Sequence, residues 1–343
     1  MNAPLQPAHS RRTRFDRPTL SVVVPVYNER AVLPLCYLRL HEVLTPLQLG
    51  YELIFVDDGS RDGSSEYLAE LACSAPSVRA LRLSRNFGKE AALSAGIDAA
   101  QGAAIVVLDA DLQDPPELIP QMLAAWRDGA DVVCMRRRSR AGESWLKRAS
   151  AHAYYRLLNR LSRVPIPADT GDFRLLSRRA VEALKRLPER NRYMKGLFAW
   201  IGMPTTVIDY DRAPRAAGHS KWNYGALLWL ALEGITSFSV APLRWATLLG
   251  LLAASCGTGF GIWIVIKTLL LGEAVPGYPS LIATMTFFGG IQLLTIGLLG
   301  EYIGKIYLET KQRPLYLIRD TLTQAPPLPR LAPLDEAPHA AVN

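Results

Sequence analysis

The chain has 343 residues, 49% of them apolar, with a net charge of +8 and an isoelectric point near 9.4. That length makes one large domain or two modest ones. The basic balance suits anionic lipid headgroups or phosphorylated substrates, and no zinc-finger or RNP signature points to nucleic acid. Cys36, Cys73, Cys134 and Cys256 form neither a C-x-x-C pair nor a Cys/His cluster with zinc spacing. They read as four reduced thiols, against a disulfide scaffold or structural zinc.

Residues 1–18 are polar and Arg-rich without an apolar core, so they read as a disordered N-terminus rather than a signal peptide or a span. Leu20 to Val26 is a nearly continuous apolar run, the pattern of a strand buried on both faces of a parallel sheet. Asn28-Glu29-Arg30 ends it, and a helical pattern follows to about Leu44. A second strand, Tyr51 to Val56, is stopped by Asp57-Asp58-Gly59-Ser60. Ser64 or Ser65 is expected to cap a helix through about Ala72. Val78 to Leu83 alternates as a third strand, Lys89 to Ala100 is helical, and a fourth strand from Ala104 runs into Asp109. Pro115-Pro116 opens a helix ending near Gly129, and Asp131 to Met135 is a fifth strand.

Strands alternating with helices predict an α/β, doubly wound, Rossmann-like sheet. Such sheets bind ligands at the carboxyl ends of their strands. Those ends carry Tyr27-Asn28-Glu29, Asp57-Asp58, Ser84-Arg85-Asn86 and Asp109-Ala110-Asp111. The polar clusters therefore converge on one edge.

Residues 136–223 form a basic second part of this catalytic region, which spans 19–223. Tyr224 to about Val240 is apolar but interrupted by Glu233, Thr236 and Ser237, which suits an interfacial helix region over 224–244. A transmembrane hairpin is expected over 245–304, with spans at about 246–271 and 281–299. Arg244 precedes it, and Lys305, Lys311 and Arg313 follow. The positive-inside rule puts both flanks in the cytoplasm. Residues 305–343 form a C-terminal segment, disordered from about 324 where Pro accumulates.

Two carboxylates at i and i+2 beyond a buried strand, Asp109 and Asp111, can approach one hard cation. Mg²⁺ or Mn²⁺ takes such oxygen ligands and leaves positions for diphosphate oxygens, and Gln113 can add an amide oxygen. Asp57 and Asp58 can accept from a base N–H or a ribose hydroxyl, or serve as caps, one in each role. Arg85 and Lys89 flank a glycine before a helix, where phosphate is favoured.

These motifs carry a resemblance. Val24-Pro-Val-Tyr-Asn-Glu29, Val56-Asp-Asp-Gly-Ser60, Arg85-Asn-Phe-Gly88 and Leu108-Asp-Ala-Asp-Leu-Gln-Asp-Pro-Pro116 resemble the GT-A catalytic domain of glycosyltransferase family 2. Asp169-Thr-Gly-Asp-Phe-Arg174, Arg215-Ala-Ala-Gly-His-Ser-Lys221 and Glu301-Tyr-Ile-Gly-Lys305 resemble its bacterial polyprenyl-phosphate glycosyltransferases. The resemblance implies that Pro25, Tyr27, Glu29 and Asp57 hold the nucleoside. It implies that Asp109, Asp111 and Gln113 hold metal and diphosphate. Asp172 and Arg174 then face sugar and acceptor phosphate, and Arg215, Ser220 and Lys221 bind phosphates as a loop closes. Arg136, in the basic run Arg136-Arg137-Arg138, adds a cation for phosphate or for lipid headgroups.

The expected reaction moves a hexose, glucose from UDP-glucose as first choice, onto undecaprenyl or another polyprenyl phosphate at the bacterial inner membrane. Asp111, Asp172 and Arg174 are the expected catalytic centre, and inversion is expected. The alternatives are mannose or another sugar, a processive polysaccharide synthase, and a non-enzymatic scaffold. Ala241-Pro-Leu-Arg-Trp245 lacks the Gln of the synthases' Q-x-x-R-W, and the expected carboxylates are all present, which argues against the last two. The family often forms tetramers, so a homotetramer is a further implication of the resemblance.

Overall fold

The computed structural model describes residues 19–138, 156, 160, 170–190, 192–211, 236, 239–271 and 277–323. The chain divides into two compact units, Met1–Leu112 with Tyr316–Asn343, and Gln113–Leu315. The first contains β1 (Leu20–Val26), α1 (Leu33–Leu44), β2 (Tyr51–Asp57), α2 (Ser64–Ser74), β3 (Val78–Leu83), α3 (Lys89–Ala99) and β4 (Ala104–Val107). The second contains α4 (Ile119–Arg127), β5 (Val132–Arg137), β6 (Thr170–Ser177), α5 (Arg178–Lys185), α6 (Met194–Trp200), β7 (Thr205–Tyr210), α7 (Ala241–Leu271) and α8 (Tyr278–Thr310). The chain then re-enters the first unit as β8 (Ile318–Leu322).

In the first unit the strands run in the order β4-β1-β2-β3-β8. The first four are parallel and β8 is antiparallel to β3. The chain steps outward from β1 to β3, then returns to β1's other side as β4. That reversal is the topological switch beside which open α/β sheets bind ligands. The apolar runs follow from burial on both faces: Val22, Val23, Val24, Ile54, Phe55 and Val56 are all fully buried. Helix α3 lies so close that a Cβ on Gly96 would stand 2.2 Å from Val23 Cγ1.

The amino end of this sheet shows what a structural polar cluster looks like. Buried Glu52 accepts from Ser21 Oγ (2.6 Å), the Gln101 N–H (2.7 Å) and Arg79 (3.0 Å). Every partner lies inside the fold, so this carboxylate is satisfied without a ligand.

Several sequence expectations shift. The serines expected to cap α2 have other partners. Ser64 Oγ donates to Asp62 (2.6 Å) and accepts from the Glu29 N–H (3.1 Å), while Ser65 Oγ donates to Asp57. The residue before α2 is Gly63, in the left-handed region and without a side-chain cap. Pro116–Leu118 forms a 3₁₀ turn ahead of α4. The alternating strands and helices imply parallel crossovers for the five expected strands; β6 and β7 lie beyond that pattern, β6 antiparallel to β5 and β7 parallel to it.

Helices α7 and α8 are long and apolar enough to cross a membrane. Helix α7 begins ahead of the expected Ala246, and α8 continues past Leu299 to Thr310. Its 33 residues reach ~50 Å at ~1.5 Å each, against a hydrocarbon core of ~30 Å. The extra turns carry charge and are held by polar contacts. The Glu309 carboxylate accepts from the Arg190 N–H (2.8 and 3.0 Å), and Tyr302 Oη donates to the Ser239 carbonyl (2.7 Å).

Residues 1–18, the 224–235 part of the interfacial stretch, residues 272–276 of the expected turn, and the tail from 324 lie outside the described residues.

Candidate active site

The loops after β1 and β2 are sewn together by side chains. Asn28 takes a left-handed conformation (φ 56°), and its N–H donates to Ser60 Oγ (2.9 Å) while its Oδ1 accepts from the Arg61 N–H (2.8 Å). The Arg30 N–H donates to Asp62 (2.9 Å). These bonds satisfy turn backbone that the sheet leaves unpaired and set the rim of a cleft.

The two carboxylates after β2 have different partners. Asp57 accepts from the Ser60 N–H (2.9 Å) and from Ser65 Oγ, and it lines the cleft. Asp58 accepts from the N–H groups of Phe87 (2.7 Å) and Gly88 (2.9 Å), bracing the loop after β3. Burial pushes its carboxyl above the ordinary range, against the pull of those two N–H groups. Gly59, directly after the two carboxylates, has φ +73°, and a Cβ there would meet Arg85 C and Asn86 N at 2.8 Å. Only glycine lets the loops meet this closely.

The cleft measures about 250 Å³. Tyr27, Asp57, Ser60, Arg61, Ser84, Arg85 and Asn86 line it from the ends of β1, β2 and β3, and Arg82 and Arg319 from β3 and β8. Arg85 also stacks on the Phe87 ring at 4.1 Å. An aromatic ring, one carboxylate and several guanidinium groups suit a planar, anionic ligand such as a nucleotide.

Asp109 and Asp111 follow the end of β4. Asp111 is buried and Asp109 half-buried. The Lys89 ammonium stands 2.7 Å from one Asp109 oxygen and 2.8 Å from the other, so this carboxylate already holds a cation. Among the described residues no group of three or more His, Cys, Asp or Glu gathers to hold a metal. Two hard carboxylate oxygens beside an open edge nonetheless fit Mg²⁺ or Mn²⁺ completed by ligand oxygens. The buried Cys36 thiol is pushed up to about 12, by desolvation first and by the Asp111 charge second. It stays a neutral thiol, not a nucleophile or metal ligand.

The second unit has its own polar centre. Arg174 on β6 is buried, donates to the Gly171 carbonyl (2.7 Å) and lies over the Phe198 ring at 4.0 Å. Its Nε meets no hydrogen-bond partner among the described residues. Tyr210 Oη donates to buried Asp114, and burial followed by the Asp114 charge raises its pKa. Asp172 is half-buried on β6, and Gln113 is half-buried at the start of this unit. Arg136 pairs with Asp209 across β5 and β7 (2.7 and 3.0 Å), so a phosphate contact there has this pair to open. Arg215, Ser220 and Lys221 lie outside the described residues.

Pro25 is half-buried in β1, Tyr27 exposed at the rim and Glu29 half-buried in the loop behind it. Sequence reasoning missed Arg61, Arg82 and Arg319. The strand that carries Arg319 has a readable signal: Ile318-Arg319-Asp320-Thr321-Leu322 begins and ends apolar with polar residues between, and includes a β-branched residue near each end.

The family described as Glycosyl transferase family 2 matches residues 21–185. An uncharacterized glycosyltransferase of Synechocystis is 50% identical over 301 residues, which is 88% of this chain and 95% of that protein. The bactoprenol glucosyl transferase of Shigella phage SfV is 48% identical over 302 residues, 88% of this chain and 98% of its own. A putative glycosyltransferase of Bacillus subtilis, CsbB, is 39% identical over 88% of this chain and 91% of its own. Among solved structures, glucosyl-3-phosphoglycerate synthase from Mycobacterium tuberculosis aligns with a TM-score of 0.45 and 22% identity, over 64% of this chain and 78% of that one. The chain is a glycosyltransferase with a GT-A-like mixed sheet. It belongs to glycosyltransferase family 2, among the polyprenyl-phosphate glycosyltransferases.

Proposed function

We propose that this protein transfers glucose from UDP-glucose to a polyprenyl phosphate at the cytoplasmic face of a bacterial inner membrane. The observation that carries the reading is the strand-end cleft. Asp57, Tyr27 and arginines line it, and the carboxylate pair follows the neighbouring β4. The bactoprenol glucosyl transferase relative supports glucose and the lipid carrier.

In this reading Pro25, Tyr27, Glu29, Asp57 and Arg85 hold the nucleoside side of the donor. Asp109, Asp111 and Gln113 would hold a divalent cation, which supplies charge stabilisation for the leaving diphosphate when bound. Lys89 already neutralises Asp109 (2.7 Å) and is placed to pair with a donor phosphate instead. The acceptor is a phosphate monoester with a second pKa of ~6, so at neutral pH it is largely a dianion. It is already a nucleophile, and no strong base is required. The remaining task is to hold anionic groups together. Arg174 suits it because its buried guanidinium stacks on a ring rather than pairing with a carboxylate among the described residues. Asp172 positions acceptor or sugar. Direct displacement would invert an α-linked donor to a β-linked product.

The acceptor explains the apolar helices. Each methylene of a polyprenyl tail costs about 0.8 kcal/mol to expose to water, so the site must work at headgroup level. In a hairpin of α7 and α8, Arg244 in the first turns of α7, Lys305 near the end of α8, and Lys311 and Arg313 after it keep both flanks cytoplasmic. The domain division in this reading is 19–223 catalytic with β8 added to its sheet, 224–244 interfacial, 245–304 hairpin and 305–343 cytoplasmic.

The test is a membrane assay with polyprenyl phosphate, Mg²⁺ or Mn²⁺ and a panel of labelled nucleotide-sugars. UDP-glucose should label the lipid fraction. Label from another donor alone, or from none, overturns the proposal.

A further inference from the structure

We propose that Arg319, carried into the donor cleft by β8, is a nucleobase-selectivity residue that donates to a ring carbonyl of uracil. This rests on the donor reading above. Arg319 lines the cleft that contains Asp57 and Tyr27. Its side chain is 70% exposed, so it reaches in from the rim. Its placement is fixed by its neighbours. The Ser84 N–H donates to the Leu317 carbonyl (2.9 Å), and Arg82 grips both Asp320 oxygens (2.6 and 2.7 Å). Tyr316 Oη further ties this segment to Asp98 (2.8 Å).

Sheet order decides which part of the donor Arg319 meets. From β4, which leads into Asp109, to β8 there are four strand spacings, about 19 Å at ~4.8 Å each. A diphosphate held at Asp109 and Asp111 is thus out of reach of a β8 side chain. The nucleoside, extending over β1 and β2, brings its base to the β3–β8 side. Uracil presents an N–H flanked by two carbonyls. The Asp57 carboxylate accepts from that N–H, and the Arg319 guanidinium, a donor only, serves the C4 carbonyl beside it. Cytosine reverses both groups, setting a lone pair against Asp57 and an amino group against Arg319. Guanine also has a carbonyl beside an N–H, but adds a second parallel donor. Each Asp57 oxygen already accepts one bond, from Ser60 or Ser65, which disfavours that pair of donors.

Titration of UDP, CDP and GDP into the solubilised full chain tests this. Arg319→Ala should weaken UDP about tenfold, leave CDP unchanged and leave the acceptor KM unchanged, and Arg319→Lys should recover part of the UDP loss. If the parent binds UDP and Arg319→Ala keeps its UDP/CDP ratio, this inference fails while the donor reading stands. An equal fall for UDP and CDP also overturns it, since that marks a general charge contact. If the parent prefers GDP or binds no nucleotide, the donor reading itself fails.

Discussion

The carboxyl edge of the first unit and the polar centre of the second hold their charges in different ways. At the edge, short side chains grip backbone: Asp58 holds two N–H groups, and Asn28 and Asp62 tie one loop to the next. The loops are therefore set before a ligand arrives. In the second unit the cations are long side chains on strands. They are held by a ring, as Arg174 is by Phe198, or by a cross-strand partner, as Arg136 is by Asp209. The first arrangement suits a donor of fixed shape. The second leaves cationic capacity for an anionic acceptor, at the cost of a buried guanidinium that is only partly satisfied.

The largest test of this contrast is at the carboxylate pair. Asp109→Asn and Asp111→Asn should each lower kcat/KM about a thousand-fold, the scale of losing a group that stabilises developing charge. Chelation of divalent ions should do the same to the parent. UDP binding measured with and without Mg²⁺ separates the effects, since the variants should lose the metal's increment and keep the rest. Activity that survives both chelation and substitution would remove the metal from the proposal. Arg174→Ala comes next, at about a hundred-fold in kcat/KM, with acceptor KM rising and donor affinity unchanged. Arg174→Lys should restore little, because an ammonium replaces neither the planar stack nor the fork of donors. The same comparison bears on Asp172. A positioning role predicts that Asp172→Asn lowers the rate but keeps every limb of the pH–rate profile. Loss of a basic limb would make Asp172 the base.

The sequence displays much of the first unit and less of the second, for physical reasons. Strands β1, β2 and β4 are buried on both faces, so each reads as an apolar run, and their polar ends stand out against it. Asp109 and Asp111 are legible because they follow such a run. Strand β8 is short, mostly exposed and distant in sequence from its partner β3, so periodicity alone does not announce it. The roles of Asp57 and Asp58 are not separable from sequence, because what distinguishes them is which loop each carboxylate faces. The antiparallel β6 is hidden for a similar reason: Leu175 and Leu176 are buried side by side, and strand direction leaves no mark on that pattern.

Gly59 gives a smaller effect with a built-in control. Gly59→Ala meets backbone at 2.8 Å with φ at +73°, and should cost about 1–3 kcal/mol in stability or donor affinity. Gly88 also has positive φ, +95°, but a Cβ there meets nothing within 4 Å. Gly88→Ala should therefore carry the backbone penalty alone. Equal losses at the two sites would mean that loop contact at Gly59 adds nothing.

The smallest effect is a pH dependence at Asp58. Burial raises its pKa above the usual 3.8, and the ionised form is the one that accepts both loop N–H groups. Acidification through the raised pKa puts a proton on one oxygen and removes one acceptor. The Phe87–Gly88 loop then loosens, and the donor KM should rise at a pH above that of an ordinary carboxylate. Stability moves the other way. A folded-state pKa above the unfolded value means that this group's contribution is fully present below the unfolded pKa and is lost as pH rises through the folded one. Asp58→Asn, neutral throughout, should abolish this limb of the donor KM profile and raise the KM a few-fold at neutral pH, since an amide offers one acceptor where the carboxylate offers two. Measured as the difference between parent and variant, donor affinity should fall and thermal stability rise over the same acid interval. If both fall together, Asp58 is bracing the whole sheet edge rather than one loop, and the division of labour between Asp57 and Asp58 fails.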